Sequence, residues 1–201
     1  MVKEAKSFWT RGKIALAVVI IVLLALIVFP VGAYNSFVSK DQDVSAKWSE
    51  VENQYQRQAD LIPNIVSVVS SYVGYESGLI TNVTAARSQW QSSLSSDLVQ
   101  RDQAGAEMTS SLSRLIAVAE NYPELKANTQ YSQLSDELSG TQNRITVARG
   151  RYIESVQSFN TAVKTFPNNI FAGMFGFAQK QYYQAALGSL VTPILGSGTL
   201  P

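Results

Sequence analysis

Carboxylates are the side chains that could do most chemistry in this sequence, because His and Cys are both absent. Their absence removes the commonest general base, the commonest metal ligand and every thiolate nucleophile. Glu120 and Glu124, on either side of Pro123 and close to Lys126, could offer carboxylate ligands to a metal. A hard cation needs several oxygens, however, and no second carboxylate-rich cluster is evident. We therefore interpret these residues as a solvated corner.

A second polar set, Arg57, Asp60 and Asn64, is spaced i, i+3 and i+7 and lies on one side of a helix. Such a set could form a polar docking patch. We favour the simpler interpretation, in which an ion pair and a helix cap hold the chain around Pro63. The sequence predicts no catalytic, cofactor-binding or metal-binding residues, and it predicts that the protein is not an enzyme.

Composition narrows the function classes further. The net charge is +1 and the isoelectric point is about 7.9, so the chain has no general electrostatic attraction for nucleic acid. Charged residues make up only 15%, because Ser and Gln supply much of the polar surface. With no Cys, disulfides and S-linked lipid anchors are excluded. We therefore expect no nucleic-acid partner and no cofactor.

Near the N-terminus of the chain lies a long apolar segment. Ile14 to Phe29 contains only aliphatic residues, Ala and the final Phe, and the segment extends to Ala33 without a charge. As a helix it spans ~30 Å, the thickness of a hydrocarbon core. We therefore predict a transmembrane helix over residues 14–33, after a basic N-terminal segment over 1–13.

A cleaved signal peptide is the competing interpretation of this segment. The basic start fits a signal peptide, and Val31-Gly32-Ala33 resembles a small-residue cleavage site. The apolar run is longer than the core of an ordinary signal peptide, so an uncleaved anchor is favoured.

The flanking charges predict the orientation of the anchor. After it, Lys40 and Lys47 are mixed with Asp41 and Asp43, which we interpret as a solvated acidic pair. Before it stand four basic residues, Lys3, Lys6, Arg11 and Lys13. By the positive-inside rule, the N-terminus is cytoplasmic and the remainder of the chain lies outside.

The remainder has the apolar periodicity of packed helices. Steps of four and three alternate along two long seams, with polar interruptions at Gln58 and Glu76, and a shorter run lies between the seams. The first seam comprises Val44, Trp48, Val51, Tyr55, Ile62, Ile65, Val69, Tyr72, Leu79, Val83, Ala86 and Trp90. The second comprises Tyr131, Leu134, Leu138, Thr141, Ile145, Ala148, Tyr152, Val156, Phe159, Val163 and Phe166, and the run between comprises Ala104, Met108, Leu112, Leu115, Ala119 and Tyr122. This heptad pattern predicts an all-α protein with coiled-coil-like packing.

Two architectures fit the seams. If Pro63 and Pro123 both mark turns, four helices at about 34–60, 61–96, 102–122 and 128–166 form an up-down bundle. If both prolines are kinks, two long helices form a hairpin with its tip near Asp97. We choose the four-helix bundle, over residues 34–166, because it buries more apolar surface. The stretch from Ser95 to Asp97 is expected to cap the next helix.

The segment 167–201 is an apolar C-terminal tail. Its apolar residues at helical spacing are Phe171, Met174, Phe175, Ala178, Tyr182 and Ala186, followed by Leu187, Leu190, Val191, Ile194 and Leu195. The tail could cap the bundle, lie at the membrane interface or contact another subunit. We favour the subunit contact, which predicts a homo-oligomer formed through the tail and the bundle.

Several short runs, in a fixed order over most of the chain, carry a family resemblance. They are Tyr34-Asn35, Trp48, Arg57 with Asp60-Leu61-Ile62-Pro63-Asn64-Ile65-Val66, Ala85-Ala86-Arg87, Leu115 to Glu120 with Tyr122-Pro123-Glu124-Leu125-Lys126-Ala127-Asn128, Thr141-Gln142-Asn143-Arg144-Ile145, Ala148-Arg149, Tyr152, Phe159-Asn160 and Phe166-Pro167. In this order they resemble the LemA family of bacterial membrane proteins. Gln142 and Ile153 depart from the family's usual Glu and Asn.

The resemblance implies an N-terminal membrane helix, a LemA-like helical bundle and no established enzymatic activity. Some relatives are associated with magnetosome membranes, which suggests membrane organisation. Family descriptions often place the short N-terminus outside the cell, whereas the basic flank here predicts the opposite.

Together these features predict a single-pass protein of the bacterial inner membrane with its bundle on the extracytoplasmic side. We expect a non-enzymatic scaffold that self-assembles or organises partner proteins at the bilayer surface. An accessory subunit that recruits a membrane protease or other envelope enzyme, and a sensor of an envelope ligand, are the alternatives.

Overall fold

A computed structural model describes residues 2–73, 78–119 and 121–182, with side chains described from residue 13 onward except at 25 and 26. Every regular element in these ranges is a helix, as the seams predict. The helices are α1 (Val2–Val73), α2 (Gly78–Ser93), α3 (Leu98–Ala119), α4 (Pro123–Lys126), α5 (Thr129–Lys164) and α6 (Asn168–Phe175).

The first helix corrects one prediction. We expected a turn at Pro63 and a new helix from residue 61, but α1 continues through Pro63 to Val73. A proline inside a helix removes only one backbone donor, and the apolar seam keeps its phase across it. The next helix begins at Gly78, and Glu76 lies outside the described residues. Pro123 does mark a restart, because it is the first residue of α4.

The chain divides into two compact units. Residues Ser45–Tyr152 form one, called here the bundle unit. Residues Met1–Val44 and Ile153–Pro201 form the other, called here the terminal unit. Both α1 and α5 contribute residues to each unit.

The bundle unit contains four long helical segments in up-down order. Pairs of contacts with α1 give the directions. On α5, Tyr152 lies beside Trp48 with the rings 5.4 Å apart and Glu137 pairs with Arg57, so α5 runs antiparallel to α1. On α2, Trp90 lies beside Tyr55 with the rings 5.0 Å apart and Arg87 bonds to Ala59, so α2 is also antiparallel, while α3 is parallel because Tyr55 bonds to Asp102 and Gln58 to Thr109. On α3, the hydroxyl of Thr109 donates to the amide oxygen of buried Gln58 over 2.8 Å. Most seam residues are buried, among them Trp48 and Trp90, which confirms the predicted packed faces along most of their length. Tyr72, Tyr122 and Phe166, at or beyond helix ends, are exposed instead.

Two helix starts in this unit are capped by side chains. The Asp97 carboxylate accepts the backbone N–H of Gln100 over 2.9 Å, which confirms the predicted cap before α3. The Asn128 side chain accepts the N–H of Tyr131 over 3.0 Å and caps α5. These bonds satisfy donors that the helices leave without internal partners.

The terminal unit contains the apolar segment of α1, the end of α5, and α6. The described side chains of the apolar segment from Ile14 to Phe29 are exposed, whereas Ala33 at its end is buried. Among the described helices, α1 is the one that is long and apolar enough to cross a membrane. Farther along α1, Phe37 is buried and lies 5.2 Å, ring to ring, from Phe177. The described part of the tail therefore packs on its own chain, and residues 183–201 lie outside the described part.

Candidate functional site

A polar network crosses the interior of the bundle unit. Arg149 on α5 donates to Asp102 on α3 over 2.7 Å and also to the hydroxyl of Tyr55 on α1. That hydroxyl in turn donates to Asp102 over 3.3 Å. Tyr55 and Asp102 are buried, and the Arg149 guanidinium lies 5.4 Å from the Tyr55 ring centroid. Three helices are thus joined by charge-assisted hydrogen bonds, which fix their mutual register.

Two neighbours support this network. Gly105 lies against Tyr55 so closely that a Cβ atom there would sit 2.6 Å from the ring, so only glycine lets α3 approach α1 at this level. On α5, burial and then the negative charge of Asp102 raise the pKa of Tyr152. Tyr152 therefore stays protonated at neutral pH.

A second polar contact explains how α1 tolerates Pro63. In a regular helix the carbonyl of Ala59 would accept the N–H of residue 63, but proline has none. The guanidinium Nε of Arg87, on α2, donates to this carbonyl over 2.9 Å instead. A side chain from a neighbouring helix thus satisfies the acceptor that Pro63 leaves unpaired.

This arrangement gives a double-mutant prediction. Arg87→Met leaves the Ala59 carbonyl without its donor and should cost about 1–3 kcal/mol of unfolding free energy. In a Pro63→Ala background, the new N–H can bond to Ala59 and the same substitution should cost clearly less. Denaturant unfolding followed by circular dichroism measures both, with Arg114→Met, at an exposed position of α3, as the matched control. Equal costs in both backgrounds would contradict the assignment.

The polar set around Arg57 forms an ion-pair cluster on the bundle surface. Arg57 pairs with Glu137 on α5 over 2.7 Å, and Arg144 pairs with the same carboxylate over 3.0 Å. Hydrogen bonding to Arg57, followed by the charges of both arginines, holds the pKa of Glu137 below its usual value. Arg57 is therefore in an ion pair, but its partner is Glu137, far away in sequence, and not Asp60 of the same set as expected.

The expected cap around Pro63 is wrong, because the helix does not end there. Asp60 instead accepts a hydrogen bond from Gln56 over 2.8 Å, one turn earlier on α1. Asn64 is exposed on the same helix.

Next to the ion-pair cluster lies an open groove between α1 and α5, with a volume near 460 Å³. Its lining is polar apart from Val147, which is 54% exposed, and Ala148. The other lining residues are Glu50, Asn53, Gln54, Asn143, Arg144 and Arg151. Hydrogen bonding to Lys47, then the charges of Lys47 and Arg151, lower the pKa of Glu50.

The groove has one acceptor that the described residues do not satisfy. The side-chain oxygen of Gln54 is shielded from solvent and has no hydrogen-bond partner among them. Sequence reasoning missed this groove, because its two walls are about 90 residues apart in the chain. The available signal was Val147, an apolar residue that stands outside the second seam.

The carboxylates singled out first do not form a site in the described residues. Glu124 and Lys126 are exposed, and Glu120 lies outside the described part. Within that part, no group of three or more potential protein ligands for a metal comes together. Asp41 pairs with Lys180 over 2.8 Å, so the acidic pair beside the anchor is not simply solvated, while Asp43 is exposed.

The comparisons with known proteins agree with the fold and the motifs. A model of the LemA family matches residues 47–193. The chain belongs to the LemA family. Two of the LemA-like motifs, the one that contains Arg87 and the one that contains Pro63, are separate in sequence and come together at the Ala59 carbonyl. Arg149, from a third such motif, belongs to the buried polar network.

Relatives of the chain fall into two named groups. Magnetosome protein MamQ 1 of Paramagnetospirillum magneticum is 25% identical over 230 residues, covering 100% of this chain and 85% of that protein. Magnetosome protein MamQ of Magnetospirillum gryphiswaldense is 23% identical with the same coverage. Protein LemA of Metamycoplasma hominis is 23% identical over 156 residues, which is 78% of this chain and 71% of that protein. This LemA-family chain is thus similar to proteins from distant bacteria along most of its length.

Proposed function

We propose that the protein is a non-enzymatic, membrane-anchored scaffold whose helical bundle assembles with further copies of itself at the surface of the bacterial inner membrane. The observation that carries the proposal is the continuity of α1. One uninterrupted helix contains the exposed apolar segment and then supplies the first helix of the bundle unit. A helix that contains both the anchor and a packing surface is suited to hold a bundle at a bilayer.

The relatives support a membrane-associated role. Two of them are called magnetosome proteins, and a third is called LemA. Family membership extends over most of the bundle unit, which is where partner contacts would be made.

The groove between α1 and α5 is the surface that we assign to the contact between copies. It carries both signs of charge, with Glu50 near Arg151, and the side chain of Arg151 is still 60% exposed. A two-fold axis brings one patch against its own copy, so a patch with both signs is complementary to itself. Exposed Val147 offers an apolar centre for this contact.

We further propose that the N-terminus is cytoplasmic and the bundle extracytoplasmic. The support is the excess of basic residues before the apolar segment, because such residues remain on the cytoplasmic side.

One experiment tests assembly and orientation together, because the chain contains no Cys. A Val147→Cys variant is expressed in two differently tagged forms and treated, in intact cells opened at any outer membrane, with a membrane-impermeant bifunctional maleimide. We expect a crosslinked product that carries both tags. A Val99→Cys variant, at an exposed position of α3, is the matched control and should yield much less of it.

The outcomes separate the alternatives. A product in which Val147→Cys is joined to one other protein in stoichiometric yield would favour the accessory subunit over self-assembly. Equal yields from the two variants, or none, would contradict the groove contact. If the cysteine reacts only after the inner membrane is opened, the bundle lies on the cytoplasmic side and the proposed orientation is wrong. Crosslinking in the opened cells then measures assembly.

A further inference from the structure

The short helix α6 presents an apolar face that nothing in the described residues covers. Phe166, just before the helix, is 77% exposed, Ile170 is 54% exposed and Met174 is 72% exposed. Ile170 and Met174 are four residues apart and therefore lie on one side of α6, and Phe166 stands just before the helix. These three residues are called the stripe here. Such large side chains in water would be a clear aggregation hazard, so the stripe requires an occupant.

The opposite face of α6 packs on α1 at the end of the apolar segment. The Phe171 ring lies 5.5 Å from the ring of Phe29, and the Phe175 ring lies 5.2 Å from that of Tyr34. Ala172, between them, is buried. The helix therefore lies beside residues 29–34 of α1, where the uninterrupted apolar run of the anchor ends. Along the axis of α1, the stripe therefore lies at the same height as exposed side chains of the apolar segment, such as Phe29 and Val31.

The charges around α6 suit a membrane interface. No charged residue occurs between Lys164 and Lys180, and these two lysines stand one on each side of the helix. Asn168 and Asn169 add polar groups at its start. An uncharged apolar stretch preceded by the exposed Lys164 matches the boundary between acyl chains and phosphate headgroups.

The segment after α6 is held in place by specific bonds. The buried side chain of Asn160 accepts the N–H of Lys180 and donates to its carbonyl, each over 2.8 Å. The Lys180 ammonium also pairs with Asp41 on α1. Gly176 ends α6 with φ of 78°, which lets the chain turn back so that Phe177 packs on Phe37. These contacts hold α6 with its apolar stripe outward.

We propose that α6 is an interfacial membrane helix that buries Phe166, Ile170 and Met174 in the bilayer beside the end of the α1 anchor. The inference rests on the anchoring part of the proposed function. Lipid is the occupant because the stripe is continuous with the lipid-facing surface of α1. A shortage of basic residues does not argue against it, since α1 already tethers the chain and α6 needs no electrostatic recruitment.

The test places single cysteines in the full-length chain, labels each with a polarity-sensitive fluorophore, and reconstitutes the protein in vesicles of phosphatidylethanolamine and phosphatidylglycerol. The test positions are Ile170→Cys and Met174→Cys. Val22→Cys in the anchor reports insertion, and Gln157→Cys, at an exposed position of α5 in the same unit, reports the aqueous phase. Quenching by lipids brominated on the acyl chains is compared with quenching by aqueous iodide.

We expect both α6 labels to lose fluorescence to brominated lipid, as Val22→Cys does, while Gln157→Cys loses fluorescence only to iodide. If the α6 labels follow Gln157→Cys, the stripe faces water and the inference fails. If they resist both quenchers, protein covers the stripe, either a neighbouring subunit or residues 183–201 of the same chain, and the inference also fails. If the label at Val22→Cys is itself not quenched by lipid, the anchoring fails, and that result is distinguishable from the failure of α6 alone.

Discussion

Replacing Trp90 by alanine is expected to lower the free energy of unfolding by about 3–5 kcal/mol. The Trp90 side chain is 0% exposed and lies 5.0 Å, ring to ring, from Tyr55. Removing the indole leaves a cavity where α2 meets α1, and the surrounding helices can relax only in part. Denaturant unfolding of the detergent-solubilised protein, followed by circular dichroism, measures the loss.

Two variants serve as controls for this prediction. Trp90→Phe should cost much less than Trp90→Ala, because it retains most of the ring and the indole Nε1 has no hydrogen-bond partner in the described residues. Val99→Ala, at an exposed position of α3, should stay within about 0.5 kcal/mol of the parent protein. A midpoint for Trp90→Ala close to that of Val99→Ala would mean that the packed face of α2 is misassigned.

Removing the Asp102 carboxylate should be comparably damaging. In Asp102→Ala, the Arg149 guanidinium loses its partner in the bundle interior, where its side chain is only 20% exposed. Leaving one member of such a pair uncompensated costs about 3–5 kcal/mol, far more than loss of a surface ion pair. The same unfolding measurement applies. Glu137→Ala, which removes the exposed Arg57–Glu137 ion pair, is the reference and should lower the free energy of unfolding much less.

A double variant separates lost charge compensation from lost packing. Asp102→Leu combined with Arg149→Met removes both charges and keeps apolar volume, so it should recover most of the stability that Asp102→Ala loses. If the double variant is as unstable as the single one, the pair is needed for its hydrogen bonds, and the explanation by an uncompensated charge is wrong.

Much of the fold follows from spacing along the chain. Trp48 and Trp90 were assigned to the interior from steps of four and three, and both are buried. The sequence predicts a cap at Asp97, and its carboxylate accepts the backbone N–H of Gln100 in the first turn of α3. Periodicity and capping depend on residues within a turn or two of each other, so a sequence specifies them directly.

The prolines show where this reasoning stops. Pro63 and Pro123 both lack a backbone N–H. Pro63 lies within α1, where this removes a helical hydrogen bond, whereas Pro123 begins α4, where the N–H would have had no helical partner. The difference for Pro63 is Arg87, which reaches the freed carbonyl of Ala59 from another helix. A proline's neighbours in sequence do not reveal whether such a donor will be near.

The candidate sites depended on tertiary structure in the same way. Sequence identified Arg57 as a member of an ion pair, but its partner, Glu137, is 80 residues away. The groove around Val147 and the contact of α6 with Phe29 likewise join segments distant in the chain.

By itself, then, the sequence determined the apolar N-terminal helix, the helical class, most of the buried faces and the family, because each of these depends on short-range patterns or motif runs. Only the tertiary structure decided how Pro63 is accommodated, which charges pair, where the groove lies and which face of α6 is left exposed. These depend on which helices pack side by side, and packing selects partners by shape and polarity across space rather than by distance along the chain.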